Sequence, residues 1–290
     1  MNIACWNVQG LNMAHRQQEV QSLVHENKIS LLGLVETKVK AANSSNILQH
    51  LLRGWRALHN YDYHPNGRIW VLWNPTMMEI NLIHTSDQMV HVSATFLEKQ
   101  LTFQSFFIYG FNTPDEHLSL WTDIMHLRGQ LPWILLGDFN IVRFPTERIG
   151  GNMDWPPYME DLNQCCSEAH LEDLKATRFH LTWDNKGSVE QYKSRKLDRV
   201  LVNPAWRSFF PLSEAQFLPP GSSDHSPMTV TAGINIYKHK ITFKFFNLWA
   251  DHPKFQSLVA EVWSTPVDGI PLYQISQKLN LLKAKLKVLN

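Results

Sequence analysis

Cysteine is scarce in this chain: Cys5, Cys165 and Cys166 are the whole complement. Three thiols make neither a paired disulfide framework nor a four-cysteine zinc site, so a reducing intracellular compartment is the simplest expectation. Nowhere does an unbroken apolar run reach the roughly eighteen residues that a membrane-spanning helix needs. Residues 1–6 enter a strand pattern with no charged leader ahead of them. Neither a membrane span nor a signal peptide is expected. An excess of charge is missing too. The 27 Lys and Arg against 26 Asp and Glu leave a net charge of +1, so no global basic field advertises nucleic acid, and any such contact must rest on a local patch. Internal repeats and low-complexity segments are also absent.

The composition, 44% hydrophobic and 11% aromatic over 290 residues, suits a globular chain that buries a large core as one big domain or two small ones. Residues 3–8 read as a buried strand, a polar helix follows over about residues 16–27, and a second apolar strand covers residues 30–35. From Trp55 to Tyr109 the character changes. Short strands rich in Trp, Val, Ile, Thr and Phe are punctuated by turn signals such as Asn66-Gly67 and Asn74-Pro75, which suggests antiparallel hairpins. Residues 114–128 read as a helix with Leu118, Trp121, Ile124 and Met125 on one face, leading to the apolar strand 133–136. A further strand is expected over residues 200–202. Strands dominate with helices between them, which favours two packed sheets with flanking helices over a doubly wound parallel sheet.

The pattern breaks near Gly233, so a domain is expected over residues 1–232 and a tail over residues 233–290. The tail opens on a basic aromatic run, 238–249, and a helix is expected over 253–263. Leu272, Ile275, Leu279, Leu282, Leu286 and Leu289 then recur three and four apart, which makes one helical stripe. An amphipathic helix docked on the body or on a missing neighbour accounts for the stripe better than self-association, and a monomer is expected.

Polar residues gather where the apolar runs end: Asn7, Glu36, Tyr109, Asp138 with Asn140, and Asp198 followed later by Asp224-His225. Strand ends are where a rigid core presents chemistry to solvent. Mg²⁺ and Mn²⁺ take oxygen ligands, and a catalytic Mg²⁺ typically needs only one or two carboxylates. Glu36 suits that role, with Thr37, Lys38 and Lys40 beside it to hold a phosphate. Taken alone, it reads more simply as a solvated acid. Asp138, directly after a strand and a glycine, could orient or deprotonate a water while Asn140 donates to a phosphate oxygen. The plain alternative is an Asp–Asn turn that only caps the strand. Histidine is the side chain most readily set to move a proton near neutral pH, and Asp198 is the candidate carboxylate to hold the His225 tautomer. One Asp-His pair among 14 histidines carries little weight by itself. Together the clusters describe a phosphodiester-cleaving site built around a hard divalent cation.

The order of these motifs matters more than any one of them. Trp6-Asn7-Val8-Gln9-Gly10, Val35-Glu36-Thr37, Ile108-Tyr109-Gly110, Gly137-Asp138-Phe139-Asn140, Leu197-Asp198-Arg199 and Ser223-Asp224-His225-Ser226-Pro227 resemble the endonuclease/exonuclease/phosphatase family over about residues 1 to 232. That resemblance implies a four-layer α/β/β/α sandwich, two packed mixed sheets flanked by helices. Leu181-Thr182-Trp183-Asp184-Asn185, Leu197-Asp198-Arg199-Val200-Leu201-Val202-Asn203 and Glu147-Arg148-Ile149-Gly150-Gly151 look like the endonuclease domain of plant non-LTR (LINE-type) retroelements. Phe243-Lys244-Phe245-Phe246-Asn247-Leu248-Trp249 with His252-Pro253 resembles the linker that leads toward a reverse transcriptase in those elements.

The resemblance also implies roles. Glu36 would bind Mg²⁺, with Mn²⁺ as the alternative, assisted by Asn7 and Asp224. Asp138 would activate or orient the water, Asn140 and His225 would hold the scissile phosphate, and Asp198 would orient His225. Tyr109 would sit beside the phosphate or the leaving group. DNA would be the partner, with Lys193, Arg195, Lys196, Arg199, Arg143 and Arg148 as candidate backbone contacts. A solvated charged face explains those six basic residues equally well. Gly110-Phe111 and Arg199 depart from the pattern of repair nucleases but occur in the retroelement branch, which argues against abasic-site repair. Gln9 stands where Asn or Arg is usual. Two other readings compete: a phosphoesterase acting on a small substrate, and a catalytically silent nucleic-acid-binding fragment of a retroelement. An enzyme of genomic DNA would also need access to the nucleus, and no dense basic import cluster stands out.

Overall fold

The apolar runs become strands in a computed structural model of the chain, which describes residues 1–127, 129–233, 252–267 and 271–286. The backbone divides into two units, Met1–Ile234 and Asn235–Asn290. In the first, β1 (Asn2–Asn7), helix α1 (Ala14–Glu26) and β2 (Leu31–Val35) are followed by α2 (Ala41–Leu51) and the paired strands β3 (Arg56–His59) and β4 (Ile69–Trp73). A meander of β5 (Met78–Thr85), β6 (Met89–Phe96) and β7 (Leu101–Tyr109) precedes α3 (Pro114–His126) and β8 (Trp133–Asp138). Short strands β9 (Arg148–Ile149), β10 (Glu172–Asp173), β11 (Ala176–Arg178), β12 (Trp183–Asp184) and β13 (Ser194–Arg195) are interrupted by α4 (Asp161–Glu168). Strand β14 (Asp198–Val202), α5 (Pro204–Phe209), β15 (Glu214–Phe217) and β16 (Met228–Thr231) complete the unit.

The strands form a seven-stranded sheet ordered β11-β15-β16-β1-β2-β4-β3 and a six-stranded sheet ordered β10-β14-β8-β7-β6-β5. Alternation decides which side chains lie between them. Ile3 and Cys5 of β1, Val71 of β4, Phe103 and Phe107 of β7 and Val200 of β14 all enter one shared core. Their neighbours along the strands point outward and need cover of their own. Ala4, Trp6, Leu32 and Leu34 pack with Val20 and Leu23 of α1, while Phe106, Ile108 and Leu135 pack with Leu120, Trp121 and Ile124 of α3 and with Leu162 of α4. The central strands of each sheet are therefore buried on both faces, giving the expected α/β/β/α sandwich.

Two details differ from the sequence reading. The strands between Trp55 and Tyr109 are antiparallel as expected, yet they divide between the sheets: β4 pairs with β2, whereas β5 starts the other sheet after the Asn74 turn. Leu118 was expected on the buried face of α3 but is 56% exposed, and His117, Leu120, Trp121 and Ile124 are the buried positions. Positions 117, 120, 121 and 124 form one stripe at 3.6 residues per turn, and Leu118 lies off it.

The second unit contains α6 (Phe255–Ser264) and α7 (Pro271–Leu286). Within the expected stripe, Leu286 is buried while Ile275 and Leu279 are half exposed. The basic aromatic run 238–249, which includes the linker-like Phe243 to Trp249, and Leu289 lie outside the described residues. Among the described residues no helix is long and apolar enough to cross a membrane.

Candidate active site

Strand pairing brings the expected residues to one edge of the sandwich. In the first sheet β1 runs parallel to β2 with Asn7 opposite Val35, so Asn7 and Glu36 leave the same end. In the second sheet β7 runs parallel to β8 with Tyr109 opposite Asp138, and antiparallel β14 begins with Asp198 opposite Asp138. The loop entering β16 delivers Asp224 and His225 to this edge, where His225 forms an isolated bridge with Trp183.

Gly137 is what lets β8 run so close to β7. Its φ is +152°, and a Cβ there would lie 2.0 Å from the Ile108 carbonyl oxygen. Gly137→Ala is therefore expected to destabilise the fold by on the order of 3 kcal/mol, read as a lower urea midpoint. An unchanged midpoint would mean that β7 and β8 can separate without cost.

At the centre, His225 Nδ1 lies 2.9 Å from Asp198 Oδ2, and Nε2 lies 3.7 Å from Asp138 Oδ2 and 3.9 Å from Asp224 Oδ1. Burial alone would push the imidazole toward neutrality, but the Asp198 and Asp138 carboxylates outweigh it and hold the His225 pKa above its usual value. Burial raises the Asp138 carboxyl, with His225 acting against that rise. Asp198 thus fixes one ring nitrogen and leaves Nε2 facing Asp138 and the mouth. Backbone geometry reinforces the arrangement: the Asp198 N–H donates to Thr182 Oγ1 at 3.0 Å, Trp6 Nε1 donates to the His225 carbonyl at 3.0 Å, and the His225 N–H donates to Ser223 Oγ at 3.1 Å.

The Asp138 carboxylate is held at both oxygens. Asn7 Nδ2 donates to Oδ2 at 2.8 Å and the Asn140 N–H donates to Oδ1 at 2.9 Å. Asn140 itself sits at φ +52° and donates Nδ2 to the Gly110 carbonyl at 2.7 Å. One of its two amide protons is thereby used, and the other remains for a ligand. Asp224 accepts from Gln9 Nε2 at 3.1 Å and Trp183 Nε1 at 3.0 Å on the same oxygen. Its other oxygen, Oδ1, is buried with no hydrogen-bond partner.

Glu36, at φ +54°, lies 2.6 Å from Lys38 Nζ and keeps partial exposure. The Tyr109 hydroxyl is pushed well above the usual tyrosine range, first by burial and then by the Glu36, Asp138 and Asp224 carboxylates that surround it. A mouth lined by these oxygens, one of them buried without a donor, suits a hard divalent cation. A second arrangement is a trio of Asp138, Asp198 and His225, whose ligand atoms lie within 4.8 Å of one another. The short contact between His225 and Asp198 makes that trio better suited to holding a proton than an ion.

The basic candidates separate sharply, and most have partners within the chain. Arg199 is completely buried, donating Nη2 to Glu147 and Nη1 to Asp173 at 3.1 Å. Lys196 and Arg143 reach the same Asp173 carboxylate at 3.0 Å each. Arg148 is buried, donates to the Asn152 and Met153 carbonyls and stacks on Trp155, while Arg195 donates to the Ile149 and Gly150 carbonyls. These side chains tie β9, β10, β13 and β14 together instead of presenting free donors to solvent. Lys193 remains exposed.

Other positioning residues carried no sequence signal. On α1, Arg16 donates to the Val8, Gln9 and Gly10 carbonyls, and the Glu19 carboxylate accepts from Ser222 Oγ at 2.6 Å. One helical turn thus steadies the loop that follows Asn7 and the loop carrying Asp224. Gln9, uninterpretable from the sequence, holds Asp224.

The profile of the endonuclease/exonuclease/phosphatase family matches residues 4–225. No curated protein matches the chain. Among solved structures, the endonuclease domain of TRAS1, a telomere-specific non-LTR retrotransposon, superposes with a TM-score of 0.62 at 15% identity, covering 82% of this chain and 99% of that one. A Bacteroides thetaiotaomicron mannosyl-6-phosphatase gives 0.56 at 14% identity, with 80% and 98% covered. D. rerio TDP2, complexed with a single-strand DNA product, gives 0.56 at 13% identity, with 79% and 97% covered. At such identities the likeness shows a shared fold, while the profile match spans every strand-end residue from Asn7 to His225. The chain belongs to the endonuclease/exonuclease/phosphatase family.

Proposed function

We propose that the protein is a metal-dependent DNA endonuclease of a non-LTR retroelement, which nicks one strand by hydrolysing a phosphodiester. The observation that carries this reading is the closure of the Asp198–His225 pair on Asp138 at the common edge of both sheets. Glu36 would hold Mg²⁺ or Mn²⁺ together with Asp224 and the free lone pair of Asn7 Oδ1, which also accepts from the Gln9 N–H, and the bound ion would polarise the phosphate and stabilise the departing alkoxide. Asp138, gripped by Asn7 and Asn140, orients the attacking water and accepts its proton. His225 donates from Nε2 to a non-bridging phosphate oxygen, because Asp198 occupies Nδ1. The remaining Asn140 amide proton and the Tyr109 hydroxyl supply further donors as charge develops on the phosphate. The tail resembles a linker, which supports a reverse transcriptase as the neighbouring partner in the element.

Incubation with supercoiled plasmid tests the assignment. Open circles are expected with Mg²⁺ or Mn²⁺, and none with EDTA or with Glu36→Ala. Phosphate release from small phosphoesters without plasmid nicking would replace this reading with a small-substrate phosphoesterase. Salt-dependent DNA binding without turnover would replace it with a silent binding fragment.

A further inference from the structure

Arg68 stands at the rim of this mouth and takes no part in the chemistry described above. Its position follows from strand register: β2 and β4 are antiparallel with Val35 opposite Ile69, so the residue before Ile69 emerges beside Glu36. Buried Thr37 makes that corner rigid, its N–H donating to the Arg68 carbonyl at 3.4 Å and its hydroxyl to the Gly67 carbonyl. From there the side chain reaches toward the end of β7. The guanidinium carbon lies 4.5 Å from the Phe111 ring centroid and 5.5 Å from that of Tyr109.

Half-buried Arg68 keeps its donors unused at the mouth, whereas Arg53, Arg56 and Arg178, which also lack acceptors, are exposed. Arg143, Arg148, Arg195 and Arg199 all donate to carboxylates or carbonyls, and Glu36 is taken by Lys38. Among the described residues Arg68 has no hydrogen bond or ion pair with a protein acceptor, only its ring contacts. A guanidinium placed over aromatic rings commits none of its five N–H groups to a carboxylate or carbonyl. A planar fork held in this way matches the two oxygens of a phosphate.

We propose that Arg68 is a substrate-binding residue that grips a nucleic-acid backbone phosphate flanking the scissile one, its guanidinium held over Phe111 and Tyr109. The inference rests on the nucleic-acid reading above and adds a contact on the opposite side of the mouth from the buried Glu147–Asp173 cluster. Its neighbour Tyr109 belongs to the catalytic edge, so a phosphate held here lies next to the one being cut.

Binding of a fluorescent DNA duplex in EDTA, followed by anisotropy across a salt series, tests it on the full chain. Arg68→Met is expected to weaken binding about tenfold at low salt. It should also flatten the slope of log K against log salt by about 0.9, one phosphate contact. KM for plasmid nicking should rise with kcat within about twofold of wild type. Arg68→Lys should recover the slope but only part of the affinity, since a point charge replaces the fork. Phe111→Leu should weaken binding while keeping the slope. A fall in kcat with unchanged slope and KM would overturn the proposal, making Arg68 a prop for Tyr109. If the wild-type protein itself binds no DNA, the nucleic-acid reading fails first and this inference with it. Normal wild-type binding with an unaltered Arg68→Met slope would sink the Arg68 contact alone.

Discussion

His225→Ala is expected to lower nicking by at least about a hundredfold. The loss has two sources in the same geometry. The variant lacks the Nε2 donor that faces the mouth, and it lacks the cation that opposes the upward shift of the buried Asp138 carboxyl. Without that cation Asp138 keeps its proton to higher pH and cannot accept one from water. Asp198 acts through the imidazole at 2.9 Å. The Asp198→Asn/His225→Ala double variant should therefore be no slower than His225→Ala alone. Single-turnover nicking by Asp198→Asn, His225→Ala and the double variant checks this, with circular dichroism confirming that each variant is folded. Multiplying losses in the double variant would show that Asp198 and His225 act independently, contrary to the geometry.

Arg199→Met is expected to cost about 3–5 kcal/mol of stability, because it leaves Glu147 and part of the Asp173 pairing buried without their main cation. Adding Glu147→Leu should recover part of the loss, since Glu147 is then a buried charge left with only Lys196 Nζ at 3.5 Å and two backbone N–H donors. Urea unfolding of the single and double variants reads both effects. Unchanged stability with weaker DNA binding would restore Arg199 to the interface.

The same cluster sets an acid limit. Burial alone would raise the Glu147 and Asp173 carboxyls, but Arg199, joined by Lys196 and Arg143, holds both below their usual 4.5 and 3.8. Because the folded-state values are depressed, their contribution is complete above the unfolded values and is lost as pH falls below them. Acid unfolding of the wild type should therefore steepen below about pH 4.5, and the Arg199→Met/Glu147→Leu variant should show less of that steepening. Equal acid profiles would place the sensitivity elsewhere.

Residues 3–8, 30–35 and 133–136 announced their strands through largely apolar character, and Asn7, Glu36 and Asp138 at or just past the ends of those runs announced where chemistry could emerge. Those signals are local, because burial on both faces shapes every residue of a strand. The succession of motifs from Asn7 to His225 likewise pointed to the family from order alone. Roles of the basic residues were a different matter. Lys196 and Arg199 flank Asp198 in sequence and looked like a patch, yet their partners are Glu147 and Asp173, which only folding brings near. Asn7 meets Asp138 across 131 positions and Gln9 meets Asp224 across 215. Arg68 reached Phe111 and Tyr109 only because β4 begins at the edge where β7 of the opposing sheet ends.

What the sequence by itself determined is therefore the alternation that makes strands, the polar residues at their ends and the family they belong to. The tertiary structure alone decided which charges are used up in holding the frame and which still face a ligand. The physical reason is that hydrophobic patterning acts over a few neighbouring residues, whereas a charge or amide takes its role from the partner that satisfies it, and that partner can come from anywhere in the chain.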